Sequence, residues 1–215
     1  VFGTQDLSLF IISGLLLNIA PGPDSLLIMT RSATQGWRAG SAAAFGIGAG
    51  TCVHVLAAAL GLSALLAASS WAFTAVKAAG AAYLLYLGLS MLLSRSKVPA
   101  HEQQAPAETT ASVPNYRKIF AQGFLTNVLN PKVALFFLAF VPQFIAPQAE
   151  NKALAFIVLG AIFNFNSMLW CNGLALFTDL ASRRVRVSQT LGLWLNRAIG
   201  ALFLSFGLKL ALAEH

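Results

Sequence analysis

Six apolar stretches, each long enough to cross a bilayer, fill most of this 215-residue chain, at approximately 7–30, 40–67, 71–93, 119–145, 152–178 and 190–212. An α-helix rising about 1.5 Å per residue needs about 20 apolar residues to traverse the ~30 Å hydrocarbon core. Lipid offers backbone N–H and C=O groups no partner, so stretches of this kind must be helical. Hydrophobic residues make up 57% of the chain and charged residues 10%, at a mean hydropathy of +0.72. A soluble domain carries roughly 45–50% and about 25%, and at this length could not bury the surplus. The expected fold is an all-α membrane protein of six transmembrane helices forming one domain over 1–215.

The connections set an expected orientation. Arg31 and Arg38 lie between the first and second stretches, and Arg95, Lys97, Arg117 and Lys118 between the third and fourth. Arg183, Arg184 and Arg186 lie between the fifth and sixth, whereas the opposite side has little beyond Lys152 and Lys209. Basic connections stay in the cytoplasm, which puts both termini outside. This distribution also explains the net charge of +7 without a nucleic-acid partner. The first stretch is of span length and has no basic segment before it, so it reads as a span rather than a cleavable signal. Residues 94–118, "SRSKVPAHEQQAPAETTASVPNYRK", are polar and proline-bearing and read as a loop.

The halves on either side of that loop resemble each other. "GLLLNIAP" (14–21) aligns with "GFLTNVLNP" (123–131) with one inserted residue, and "KAAGAAYLLY" (77–86) with "RAIGALFLSF" (197–206). Three spans per half turn the second half upside down, giving inverted repeats at about 5–93 and 119–212, an architecture of secondary transporters. Both halves break their first helix at proline. Pro21 and Pro23 remove backbone donors and free carbonyls around residues 17–20, with Gly22 between them, and Pro131 does the same in the fourth span. Such a break is tolerable in lipid only where it lines a cavity, and the half-helix ends it exposes attract charged groups. A proline kink that merely shapes packing is the plainer alternative.

Charge falls at the same places. Asp24 is the acidic residue expected well inside a span, with Asp6, Glu150 and Asp179 at span ends or in connections; Lys132 directly follows Pro131. Ionisable residues inside a membrane are costly and point to function. Asp24 pairs with Lys132, or each meets a charge on the cargo; a snorkelling Asp24 near the interface is the alternative. A carboxylate balanced between burial and an ammonium could carry a proton in exchange for cargo. Asn18, Asn127 and Asn130 add uncharged donors and acceptors. These residues and the prolines form the expected substrate and coupling site, with no catalytic residue, metal or cofactor.

Other features read as structural. "GIGAG" (46–50) lies inside a span and fits close helix packing rather than phosphate binding. Cys52 and His54 stand two apart on a helix and face differently, which argues against a metal site. Cys52 and Cys171 occupy similar depths in equivalent spans, as a thiol relay would require, but neither lies at a break. Small residues along the second span and the closing helices suggest tight packing, including a homodimer seam.

The quoted signatures come together in "APGPDSLLIMTRSATQGWRAGSAAAFGIGAG", "GAAYLLYLG", "GFLTNVLNPKVALFFLAFVPQF" and "RAIGALFLSFGLKL". This chain resembles the LysE/RhtB family of amino-acid exporters, of the homoserine/threonine type, from about residue 5 to residue 212. The resemblance implies a bacterial inner-membrane permease driven by the proton motive force, with signature positions Pro21, Gly22, Pro23 and Asp24, then Asn130, Pro131 and Lys132. Branches of the family carry basic, neutral or sulfur amino acids and in some cases metal cations. One acid and one base in the expected site lean toward neutral cargo such as threonine, homoserine or leucine.

Overall fold

The computed structural model describes residues 3–68, 114–146 and 148–182, with isolated positions at 78, 82, 85, 86, 89, 92, 93, 197, 201, 204, 205 and 208. These residues are organised as six α-helices: α1 (Leu7–Ile19), α2 (Pro23–Gln35), α3 (Trp37–Ala68), α4 (Tyr116–Val128), α5 (Pro131–Leu135) and α6 (Lys152–Ser182). A π-helical turn, Phe136–Phe140, and a 3-10 turn, Val141–Phe144, continue α5. The expected third and sixth spans, 71–93 and 190–212, lie outside the described residues apart from the isolated positions, as does most of the expected loop 94–118.

Among the described residues two helices, Trp37–Gly61 and Lys152–Ser182, are long and apolar enough to cross a membrane, and two bent pairs bring the number to four if each pair is one span. Leu7–Ile19 meets Pro23–Gln35 at 55°, and Tyr116–Val128 meets Pro131–Phe144 at 48°. Both breaks sit at the expected prolines. At the first, Gly22 is fully extended and caps α2, whose first turn begins with Pro23. At the second, Asn130 is extended, Pro131 opens α5, and Asn130 Oδ1 accepts from the Lys132 N–H at 3.0 Å. Proline suits a first turn because that N–H has no helical partner anyway.

Helix ends differ from the expected spans where a local cap overrides hydropathy. α2 runs on past residue 30 to Gly36, whose φ of 85° is a left-handed value that glycine accepts without strain. α4 begins inside the expected loop because Asn115 Oδ1 accepts the Lys118 N–H at 3.1 Å. α6 extends to Ser182 and so carries Asp179, expected at a span end, as a buried residue of the helix.

α3 is the spine. Its glycines let neighbouring backbones touch: a Cβ on Gly46 would collide with the Phe120 carbonyl and lie 2.8 Å from the Phe124 nitrogen, and one on Gly123 would collide with the Ala43 carbonyl. Gly48 faces side chains of α6 instead, with Met168 Sδ 2.7 Å from where a Cβ would stand. Thus "GIGAG" is a packing motif that seats α3 between α4 and α6. Phenylalanines fill the space around the second bent pair: Phe10, Phe136, Phe140 and Phe144 close a ring of tilted and edge-on contacts, and Phe163 of α6 meets Phe136 at 5.1 Å between ring centroids.

Gly46→Val therefore forces α3 and α4 apart, an overpacking cost of about 1–3 kcal/mol or more. We expect its melting temperature in detergent to fall, whereas Gly173→Ala, which meets nothing within 4 Å, leaves it unchanged or slightly raised. Equal melting of the two variants would contradict this crossing.

Candidate functional site

The breaks at residues 20–22 and 129–130 face each other, and each is completed by residues belonging to the other. Proline 21 has no N–H for the carbonyl four residues earlier, that of Leu17. Lys132, from the first turn of α5, supplies the missing donor: Nζ donates to Leu17 O at 3.1 Å and to Ala20 O at 3.1 Å. Its ammonium thus sits at the C-terminal end of α1, where the helix dipole favours a cation. Gly22 leaves it room, since a Cβ there would lie 3.2 Å from Nζ.

Asp24 makes the reverse crossing. It lies in the first turn of α2, where a carboxylate suits the dipole. Its Oδ2 accepts from Asn127 Nδ2 at 2.9 Å and from Asn130 Nδ2 at 3.1 Å, both at the second break. The direct pair between Asp24 and Lys132 does not form, because the carbonyls freed by Pro21 and the two asparagine amides take their places. The two charges remain near enough to attract. Asn127 and Asn130 are buried, whereas Pro21, Pro23 and Pro131 turn outward; the prolines shape the breaks without lining the site.

A cavity of about 20 Å³ opens beside these groups. Its wall includes the polar residues Asn18, Asp24, Thr51, Asn127, Lys132 and Ser167, with Ile47 and Phe163 among the apolar ones. Two polar atoms there are buried without a hydrogen-bond partner, Asp24 Oδ1 and Asn18 Nδ2. One is an acceptor and the other a donor, so the wall presents complementary vacancies to a zwitterion. The volume suffices for about one water molecule, so an amino acid enters only if the helices move apart.

Several lining residues were not expected from the sequence. Thr51 and Ser167 sit in apolar helices with no break nearby, and only the register of α3 against α4 and of α6 against α1, α2 and α3 turns them inward. Cys171 also reaches the cavity and is buried, whereas Cys52 is exposed and accepts from Asn164 Nδ2 at 3.4 Å. Among the described residues no group of three His, Cys, Asp or Glu is placed to hold a metal ion.

Lys132→Met would leave the Leu17 and Ala20 carbonyls unpartnered inside the membrane, at about 1–3 kcal/mol for each buried group. We expect a lower melting temperature and reduced folded yield, with Lys132→Arg retaining more of both. Unchanged stability in Lys132→Met would refute the capping role.

Comparison with known proteins adds the family. Residues 15–214 match the model of the LysE type translocator family. An uncharacterized membrane protein of Pseudomonas aeruginosa is 33% identical over 211 residues, 98% of this chain and 97% of the relative. A second uncharacterized membrane protein, from Bacillus subtilis, is 33% identical over 201 residues, 92% of this chain and 94% of its own length. A homoserine/homoserine lactone efflux protein of Salmonella typhi is 30% identical over 206 residues, 96% of each chain. No solved structure matches. With a match running almost end to end, this multi-pass membrane protein belongs to the LysE type translocator family, whose members are transporters and not enzymes.

Proposed function

We propose that this protein is a secondary active exporter of small neutral amino acids of the homoserine, threonine or leucine kind, moving them out of the cytoplasm in exchange for protons. The observation that carries this reading is the pair of unpartnered groups at the cavity. Asp24 Oδ1 is an acceptor suited to an α-ammonium, and Asn18 Nδ2 is a donor suited to an acyl oxygen. Homoserine and its lactone, named for the Salmonella relative, share those two features and differ in the free carboxylate. Lys132, already donating to two carbonyls, has a third N–H for a carboxylate when one is present.

Coupling follows from Asp24 holding either a proton or an ammonium, but not both. A cargo ammonium leaving toward the outside vacates the carboxylate, a proton from that side takes its place, and its release inward resets the site. Alternation requires the cavity to open to one side at a time. The two bent pairs, with bends of 55° and 48° at positions related by the repeat, support two inverted halves, about 5–93 and 119–212, that rock around the breaks. In this reading the basic connections lie in the cytoplasm, both termini lie outside, and the membrane is the bacterial inner membrane. A homodimer belongs to the reading too, although the small residues at Gly46, Gly48 and Gly50 are already used within one protomer.

Inverted membrane vesicles with an acid interior test this directly, because export from the cell becomes uptake into the vesicle. Homoserine, threonine and leucine should accumulate with wild-type protein and not with Asp24→Asn, which should lose at least about tenfold, the scale of one charged hydrogen-bond interaction. Accumulation undiminished in Asp24→Asn would remove the coupling role. Wild-type vesicles that accumulate no amino acid would overturn the reading and turn attention to metal cations.

A thiol-redox carrier is separated by one further variant. Cys52→Ser combined with Cys171→Ser should retain uptake within about twofold, since one thiol is exposed and the other buried, neither lies in a broken helix, and serine keeps the size of the side chain at the cavity. Complete loss in a folded double variant would favour the redox alternative.

A further inference from the structure

Pro131 does to Asn127 what Pro21 does to Leu17. It removes the N–H that would bond the carbonyl four residues earlier. Asn127 O accepts instead from the Asn130 N–H at 2.9 Å and is met by His54 Nε2 at 3.0 Å. A carbonyl can only accept, so this geometry requires a proton on Nε2. The imidazole lies parallel to the ring of Phe137, at 1° between planes and 6.5 Å between centroids, and Phe137 is fully buried. The plane of the histidine is thereby fixed with Nε2 aimed at the end of α4.

His54 does not act on Asn127 alone. Three residues earlier, on the same face of α3, the Thr51 hydroxyl lies 3.1 Å from Ile47 O and 3.4 Å from Asn127 Oδ1, and its single proton serves one of them at a time. Gly50 admits the asparagine so closely that a Cβ would lie 2.8 Å from the Asn127 Cβ. With its carbonyl met by His54 and its side chain seated against Gly50, Asn127 turns Nδ2 to Asp24 Oδ2, donating at 2.9 Å.

We propose that His54 is a positioning residue of the transport site. It replaces the hydrogen bond removed by Pro131, and so holds Asn127 where its amide engages one oxygen of Asp24 and leaves the other for the cargo ammonium. His54 itself touches neither cargo nor Asp24. The inference rests on the reading of Asp24 as the cargo and coupling site, and the two can fail separately.

Homoserine uptake by inverted vesicles, measured as KM and Vmax at matched amounts of folded protein, provides the test. His54→Leu should raise KM about tenfold, the scale of one lost hydrogen bond. His54→Gln, whose side-chain amide can donate to the same carbonyl, should stay within about threefold of wild type. A histidine that only fills space predicts that Leu and Gln behave alike; that result, or an unchanged KM in His54→Leu, overturns the proposal. Should His54→Leu fail to fold, nitrogen-15 NMR decides on the protein with H101Q and H215Q, in which His54 gives the only imidazole signals. A proton on Nε2 is expected, and a bare Nε2 overturns the proposal. Wild-type vesicles that take up no homoserine would instead sink the transport reading, leaving the hydrogen bond to be judged by the spectrum.

Discussion

A backbone carbonyl that loses its helical donor inside a membrane must find another within the protein, because lipid supplies none. That requirement governs both halves of this molecule. Leu17 O is completed by the Lys132 ammonium and Asn127 O by the Asn130 N–H and the His54 imidazole, while Asp24, at the start of the helix after one break, is held by the asparagines of the other. Neither break is self-sufficient. The first bent pair cannot be stable without the second beside it, so the same bonds that make the breaks tolerable also bring their polar groups to one place.

The spine of the fold meets a complementary demand. Donors on α3 can reach the end of α4 only if the two backbones approach closely, and Gly46, Gly50 and Gly123 provide that approach. Side chains at the crossing would hold the helices apart and take Thr51 and His54 out of reach of Asn127. Tight packing and the polar site are thus one design: the glycines lower the separation, and the hydrogen bonds use it.

A cavity of about 20 Å³ beside an unpartnered carboxylate oxygen and an unpartnered amide N–H is too tight for an amino acid. A polar site this tight is tolerable in lipid only if most of the lining groups bond to one another, as they do here. Opening the site to either side must then loosen some of the bonds that cross between the breaks, and an ammonium and acyl oxygen entering the site can offset that loss. On the proposed reading, cargo binding and helix movement are linked through the same few atoms, as alternating access requires.

Apolar stretches of span length established a helical membrane protein from the sequence alone, since lipid leaves the backbone no alternative. Proline in those stretches located both breaks, since a missing N–H acts on the helix that contains it. Asp24, Asn18, Asn127, Asn130 and Lys132 were legible as polar residues in an apolar setting, which is a local property. Their partners were not. Whether Lys132 would bond Asp24 or the carbonyls of α1, and that Thr51 and His54 would both turn toward Asn127, depended on the register between helices far apart in the chain. That register is decided by glycines and side-chain volumes on two facing surfaces, and neither surface specifies it alone. The ends of α2, α4 and α6 moved from their hydropathy limits for a smaller version of the same reason: a glycine turn or an asparagine cap acts on individual hydrogen bonds, which an average over apolar residues does not register. The sequence determined that the helices break and which charges follow the breaks; the tertiary structure decided which groups each break receives in return.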